Sequence, residues 1–135
     1  MTSASLSIMP KVAKLSVNVT TVLGLNPSPM TLRGTNTYLI GGTGKRQVPI
    51  FLFWHAQHNS RNSIHYRCIL LDTGDGQQPE YFQNLNDTLR GVGSIISEVI
   101  LSHWHPDHVG GISKIIETME VCIIISKKVP LPSTY

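Results

Sequence analysis

The chain has 135 residues, the span of one small domain. Hydrophobic residues make up 41% and charged residues 14%, which suits a packed core and excludes a highly charged disordered tail, and no apolar run reaches the roughly 20 residues that cross a bilayer. The formal charge of +3 is unevenly spread: no Asp or Glu precedes Asp72, and a basic half could attract phosphates, but the bases before it (Lys11, Lys14, Arg33, Lys45, Arg46, Arg61 and Arg67) are scattered, which favours a solvated surface.

Met1–Lys14 reads as an N-terminal extension. Its acid-poor start resembles a mitochondrial presequence, although Pro10 interrupts an amphipathic helix. Leu15–Leu23 alternates apolar and polar residues around Val17, Val19 and Val22 and predicts a strand. Asn26-Pro27-Ser28-Pro29 predicts a loop. Thr37–Ile40 predicts a second strand, stopped by Gly41-Gly42. Arg67–Leu71 predicts a third, and its near-continuous apolar run suggests burial on both faces. Tyr81, Phe82, Leu85 and Leu89 fall at helical spacing behind Pro79, with Gly91 as the expected stop. Ile95–Leu101 predicts a fourth strand, a helix follows around Ile112, Ile115, Ile116 and Met119, and Val121–Ser126 predicts a fifth strand. Cys68 and Cys122 sit inside apolar strand patterns, as buried free thiols do.

From Cys68 to Ser126 the pattern is strand, helix, strand, helix, strand. Such α/β units make parallel pairs, and sites form beyond the carboxyl ends of their strands. At one such end lies Ser102-His103-Trp104-His105-Pro106-Asp107-His108-Val109-Gly110-Gly111. Imidazole nitrogen and carboxylate oxygen are zinc donors at roughly 2.0–2.2 Å. A tight turn after a buried strand can aim His103, His105, Asp107 and His108 into one space, His103 with His105 for one metal and Asp107 with His108 for a second. Two metals roughly 3.5–4 Å apart can activate a shared nucleophile and stabilise charge on a phosphate or carbonyl. Trp104, between two donors, is expected to pack the loop against the core, or else to face substrate. His55, His58 and His65 have no carboxylate nearby and are not expected to bind metal.

The pattern His103-x-His105-x-Asp107-His108 resembles the metal-binding signature of the metallo-β-lactamase-fold hydrolases. Leu25–Ile40, with Asn26-Pro27-Ser28-Pro29 and Arg33-Gly34-Thr35-Asn36-Thr37-Tyr38, together with Ile69–Gly74, is similar to the animal beta-lactamase-like protein 2 branch. The resemblance runs from about Leu15 to Lys128. It implies the N-terminal half of a four-layer αββα sandwich and two Zn²⁺ ions at its edge. It also implies endoribonuclease activity on single-stranded RNA, in the mitochondrial matrix or cytoplasm. By the same resemblance Asp107 stands beside the nucleophile and Asp72 supports the site without ligating. A related branch cleaves carrier-protein thioesters.

Two departures stand beside the match. Residues 47–66 intervene where the family passes directly from Gly42–Lys45 to Ile69–Leu71. They read either as a substrate lid carrying Trp54 or as a translated intron. Second, the resemblance implies a further His, a bridging Asp and a final His, yet Val109–Tyr135 contains neither residue type. Residues 15–135 are therefore expected to be a partial domain with its C-terminal half absent and an incomplete zinc site. Without the second sheet, an apolar face around Leu70, Ile95, Val99 and Leu101 is expected to stand open to water, at several kcal/mol for several hundred Å² at roughly 25 cal/mol per Å². A marginal, association-prone and catalytically silent fragment is the competing expectation.

Overall fold

A computed structural model describes residues 9–42, 47–49, 64–119, 121 and 125–126. Its strands are β1 (Val12–Lys14), β2 (Val19–Leu23), β3 (Asn36–Gly41), β4 (Gln47–Pro49), β5 (Ile64–Leu71), β6 (Ser94–Ile100) and β7 (Ile125–Ser126). The helices are α1 (Pro79–Val92), α2 (Pro106–Val109) and α3 (Ile112–Thr118). The strands form one mixed sheet in the order β1-β2-β3-β5-β6-β7, and β4 pairs with the part of β5 that extends beyond β3. β1, β2, β3 and β5 are antiparallel neighbours, whereas β5, β6 and β7 run parallel. This is a mixed α/β architecture consistent with part of a metallo-β-lactamase fold.

Helix α1 forms where the apolar spacing predicts it. Pro79 opens it, where the missing N–H has no helical partner to lose. Tyr81, Phe82, Leu85 and Leu89 are its buried face. It ends two residues later than expected: Gly91 lies within the helix, and Gly93 takes the left-handed conformation that closes it (φ 62°). Leu85, Tyr81 and Phe82, joined by Ile115 of α3, pack on Val22, Leu39, Cys68, Leu70, Ile96 and Val99.

The parity of β6 changes midway. Cys68 pairs with Ile96 but Ile69 pairs with Glu98, so a bulge leaves Ser97 between them, its hydroxyl donating to the Cys68 carbonyl at 3.1 Å. The extra residue lets Ile96 and Val99, three positions apart, both reach the helix side.

Several expectations are corrected. The sheet begins inside the stretch assigned to the extension: β1 pairs with β2, and Lys11 forms an ion pair with Glu80 of α1. Leu15–Asn18 is a turn, not strand, with the Leu15 and Ser16 amides both donating to the Val19 carbonyl. β5 is buried on one face, since Cys68 and Leu70 are sealed while Ile69 and Leu71 are only partly covered. Leu70 and Val99 do not stand open: they are 0% and 1% exposed, because the helices rather than a second sheet cover them. The partly open apolar face is the other parity, with Tyr38, Ile40, Ile69, Leu71, Ile95 and Ile100.

Residues 47–49 and 64–66 are strand, lengthening the ladder along β5, while His55, His58 and Trp54 lie outside the described residues, as does Cys122. Among the described residues no helix is long and apolar enough to cross a membrane.

Candidate metal centre

Because β5 and β6 run parallel, both deliver the chain to the same edge of the sheet, and the segments leaving them meet there. Leaving β5, Asp72 adopts φ 61°, uncommon for a residue with a side chain, while its amide donates to the Ile100 carbonyl at 2.9 Å. Its carboxylate, 4% exposed, is turned toward the segment leaving β6. Oδ1 accepts the Ser102 amide at 2.8 Å, and Oδ2 accepts the Ser102 hydroxyl at 2.7 Å and lies 2.8 Å from His108 Nδ1.

The loop after β5 and the glycines after His108 close on each other. Thr73 donates both its amide and its hydroxyl to the His108 carbonyl, each at 2.8 Å, and the Gly111 amide donates to the Gly74 carbonyl at 3.0 Å. A Cβ on Gly111 would lie 1.9 Å from the Thr73 carbonyl oxygen, so only glycine allows this approach.

His103, His105, Asp107 and His108 are brought together on this platform. His103 Nε2 lies 3.0 Å from His105 Nδ1, and His108 Nε2 lies 3.2 Å from Asp107 Oδ2. The His103 and His108 rings are 4.0 Å apart at their centroids. Second contacts set the tautomers. A carboxylate only accepts, so His108 carries its proton on Nδ1 toward Asp72 and turns an Nε2 lone pair on Asp107. Ser102 spends its hydroxyl proton on Asp72 and presents oxygen lone pairs to His103 Nδ1 at 2.9 Å, which leaves His103 Nε2 as an acceptor facing His105.

Two acceptors held at 3.2 Å call for a cation between them, a proton or a metal ion. Tetrahedral donors at about 2.0–2.1 Å from one ion stand about 3.3 Å apart, and both pairs match that spacing. Among the described residues no three His, Cys, Asp or Glu side chains converge on one point, so the donors fit a metal as two pairs and not as a complete cage.

Asp107 is held from the far side as well. Thr35, just before β3, donates its hydroxyl to Asp107 Oδ2 at 2.7 Å. Partial burial pushes the Asp107 carboxyl up, but the Thr35 hydroxyl, and the positive charge that the neighbouring His108 and His105 carry when protonated, pull harder, and its net shift is downward. Trp104 does not pack on the core: it is 77% exposed, with its ring 4.9 Å from that of His105. The turn that sets the His103 and His105 rings 4.6 Å apart at their centroids sends the residue between them out. His65 lies in β5, away from this edge.

Thr35, Ser102 and Thr73 carry contacts that the sequence reading assigned to no one. Ser102 borders the first donor and could have been found there. Thr35 is 72 positions from Asp107, and its only signal is strand pairing: Tyr38 faces Leu71 in an antiparallel ladder, which sets the start of β3 beside the end of β5.

The metallo-beta-lactamase superfamily model matches residues 65–134. A beta-lactamase-like protein 2 homolog of Drosophila melanogaster is 38% identical over 113 residues, 84% of this chain and 31% of the relative. One from Caenorhabditis elegans is 37% identical over 127 residues, 94% of this chain and 34% of the relative. An atrochrysone carboxyl ACP thioesterase of Aspergillus novofumigatus is 37% identical over 107 residues, 79% of this chain and 26% of the relative. The chain thus spans about a third or less of the length of these relatives. With its donor loop at the shared carboxyl edge of β5 and β6, and with that match running through both strands, the chain belongs to the metallo-beta-lactamase superfamily.

Proposed function

We propose that this chain carries the first half of a two-zinc hydrolase centre, and that the whole protein is an endoribonuclease acting on single-stranded RNA. The observation that carries this reading is the pair of facing ligand-atom couples at 3.0 and 3.2 Å, backed by one buried carboxylate. His103 and His105 hold one ion; Asp107 and His108 hold the other. When bound, zinc supplies the positive charge that generates nucleophile from water at neutral pH and neutralises charge on the transferring phosphoryl oxygens.

The protein's own groups orient and exclude. Asp72 fixes His108 directly and His103 through Ser102, so one buried anion sets both imidazoles. Asp107, its carboxyl drawn down and its side chain partly exposed, stands beside the nucleophile in this reading. Among the described residues the donors number two per ion, one fewer than the three protein ligands of a catalytic zinc site. Turnover accordingly belongs to the whole protein, in the mitochondrial matrix or cytoplasm, and the chain by itself binds metal weakly.

The RNA reading follows the resemblance of Leu25–Ile40 and the histidine loop to the beta-lactamase-like protein 2 branch, whose homologs match 84% and 94% of the chain. The fungal thioesterase supports a second reading, in which the metals polarise the carbonyl of an acyl carrier-protein thioester. The test is turnover by the whole protein of a labelled single-stranded RNA and of an acyl thioester, after chelation and after restoring Zn²⁺. Zinc-dependent cleavage of RNA alone supports the first reading and of thioester alone the second. Cleavage that survives chelation overturns both.

A further inference from the structure

We infer that Thr35, locked by Asn26, is a positioning residue for Asp107: its hydroxyl holds the carboxylate in the orientation that pairs Oδ2 with His108. The inference rests on the metal-site reading above and adds a contact from a distant loop to it. Thr35 is 5% exposed, and its polar atoms have directed partners. Its amide donates to Asn26 Oδ1 at 2.8 Å, and Asn26 Nδ2 donates back to Thr35 Oγ1 at 3.1 Å. The Asn26 carboxamide cannot flip without losing both bonds. Because Oγ1 already receives that donor, its own proton is directed onward, to Asp107 Oδ2 at 2.7 Å.

The loop behind this relay is itself fixed. Thr31 Oγ1 donates to the Asn26 carbonyl at 2.6 Å, and the Gly24 amide donates to the Thr35 carbonyl at 2.7 Å. Gly34, at φ 131°, brings the loop so close on itself that a Cβ there would lie 2.8 Å from the Leu25 nitrogen. A β-branched side chain on such a backbone has little χ1 freedom. Asp107 has the opposite surroundings: it is partly exposed, in a four-residue helix with no buried residue. Left alone its carboxylate would turn to water. The rigid partner therefore sets the mobile one, and loss of the Thr35 hydroxyl should weaken the Asp107–His108 pair while leaving the His103–His105 pair intact.

The test is titration of the 135-residue chain with Co²⁺, followed by its visible absorption, and competition with Zn²⁺, with melting curves as the fold control. Thr35→Val should weaken the ion held by Asp107 and His108 by about 10–100-fold, as loss of an outer partner does. Thr35→Ser should restore it, and His103→Ala should weaken only the other ion. Should Thr35→Val fail to melt like the parent, Asn26→Ala, which frees the hydroxyl without removing it, is expected to give a smaller loss at the same ion. Equal affinities in the parent, Thr35→Val and Asn26→Ala overturn the inference while Asp107→Ala still abolishes that ion. If Asp107→Ala also binds as the parent does, or the parent takes up no Co²⁺ even at concentrations that would load a weak two-donor site, the metal-site reading itself is wrong. Equal weakening of both ions by Thr35→Val would also overturn the inference, because it signals a general loosening of the fold.

Discussion

Leu70 and Thr73 stand three residues apart where β5 leaves the sheet, and both are fully sealed from water. Leu70 is surrounded by Leu85, Ile96, Val99 and Ile115, groups with no directional demands. Thr73 is bonded twice to the His108 carbonyl, lies against Gly111 and follows Asp72 with its hydrogen bonds to Ser102. The first region is held by apolar area and the second by directed bonds and backbone contact at distances only glycine allows. Substitutions in the core should change how stable the chain is, whereas those in the polar cradle should change where the imidazoles point.

The largest effect expected from this contrast is in the core. Leu70→Ala should cost about 2–5 kcal/mol, read from urea or thermal unfolding, with the histidine-loop resonances of the still-folded fraction unchanged. If those resonances move as far as in a cradle variant, the two regions are not separable. Gly111→Ala should cost about 1–3 kcal/mol, because its Cβ must displace the Thr73 carbonyl, and it should shift the His108 resonances strongly. Asp72→Asn ranks third for stability, at about 1–3 kcal/mol, since an amide offers Ser102 and His108 a donor where they require an acceptor. It should weaken both metal ions together, unlike Thr35→Val, because both imidazoles lean on that carboxylate.

The contrast also explains what could be read from the sequence. Tyr81, Phe82, Leu85 and Leu89 announce α1 by spacing alone, because apolar burial needs only periodicity. Donor types packed into His103–His108 announce a metal loop, because ligand chemistry is written in side-chain identity. Contacts made by backbone or across long separations leave no such trace. Nothing in Thr35 points to Asp107 until β3 is known to run antiparallel to β5. The bulge at Ser97 breaks alternation that would otherwise put Ile96 and Val99 on opposite faces. Gly91 and Gly93 look alike as helix stops, and only the left-handed backbone at Gly93 decides between them. Val12–Lys14 seemed an extension because three residues are too few for a pattern, yet they pair with Val22, Thr21 and Thr20.

The smallest effect concerns alkali and separates the regions by charge. Among the described residues the core holds two weak acids with raised pKa, Cys68 and Tyr81. Burial pushes the Cys68 thiol up to about 12 from an ordinary 9.0, with its Sγ–H directed at the Ile95 carbonyl at 3.3 Å. Burial also raises Tyr81, partly offset by its hydrogen bond to Thr37 and reinforced by the Asp72 charge. An acid whose pKa is raised on folding stays protonated in the native state while the unfolded chain loses its proton. The unfolded state then binds fewer protons, and stability falls as pH rises. For Cys68 the loss should begin near pH 9 and continue toward pH 12, at about 1 kcal/mol per pH unit. Below pH 8 it should vanish, and the thiol should resist alkylation unless the chain unfolds. Cys68→Ala should delay the onset of the alkaline loss from near pH 9 to near pH 10, where Tyr81 begins to contribute, without moving the histidine-loop resonances. A loss that still begins near pH 9 in that variant would place the sensitivity outside the Cys68 thiol, and would remove the distinction drawn here between the two sealed regions.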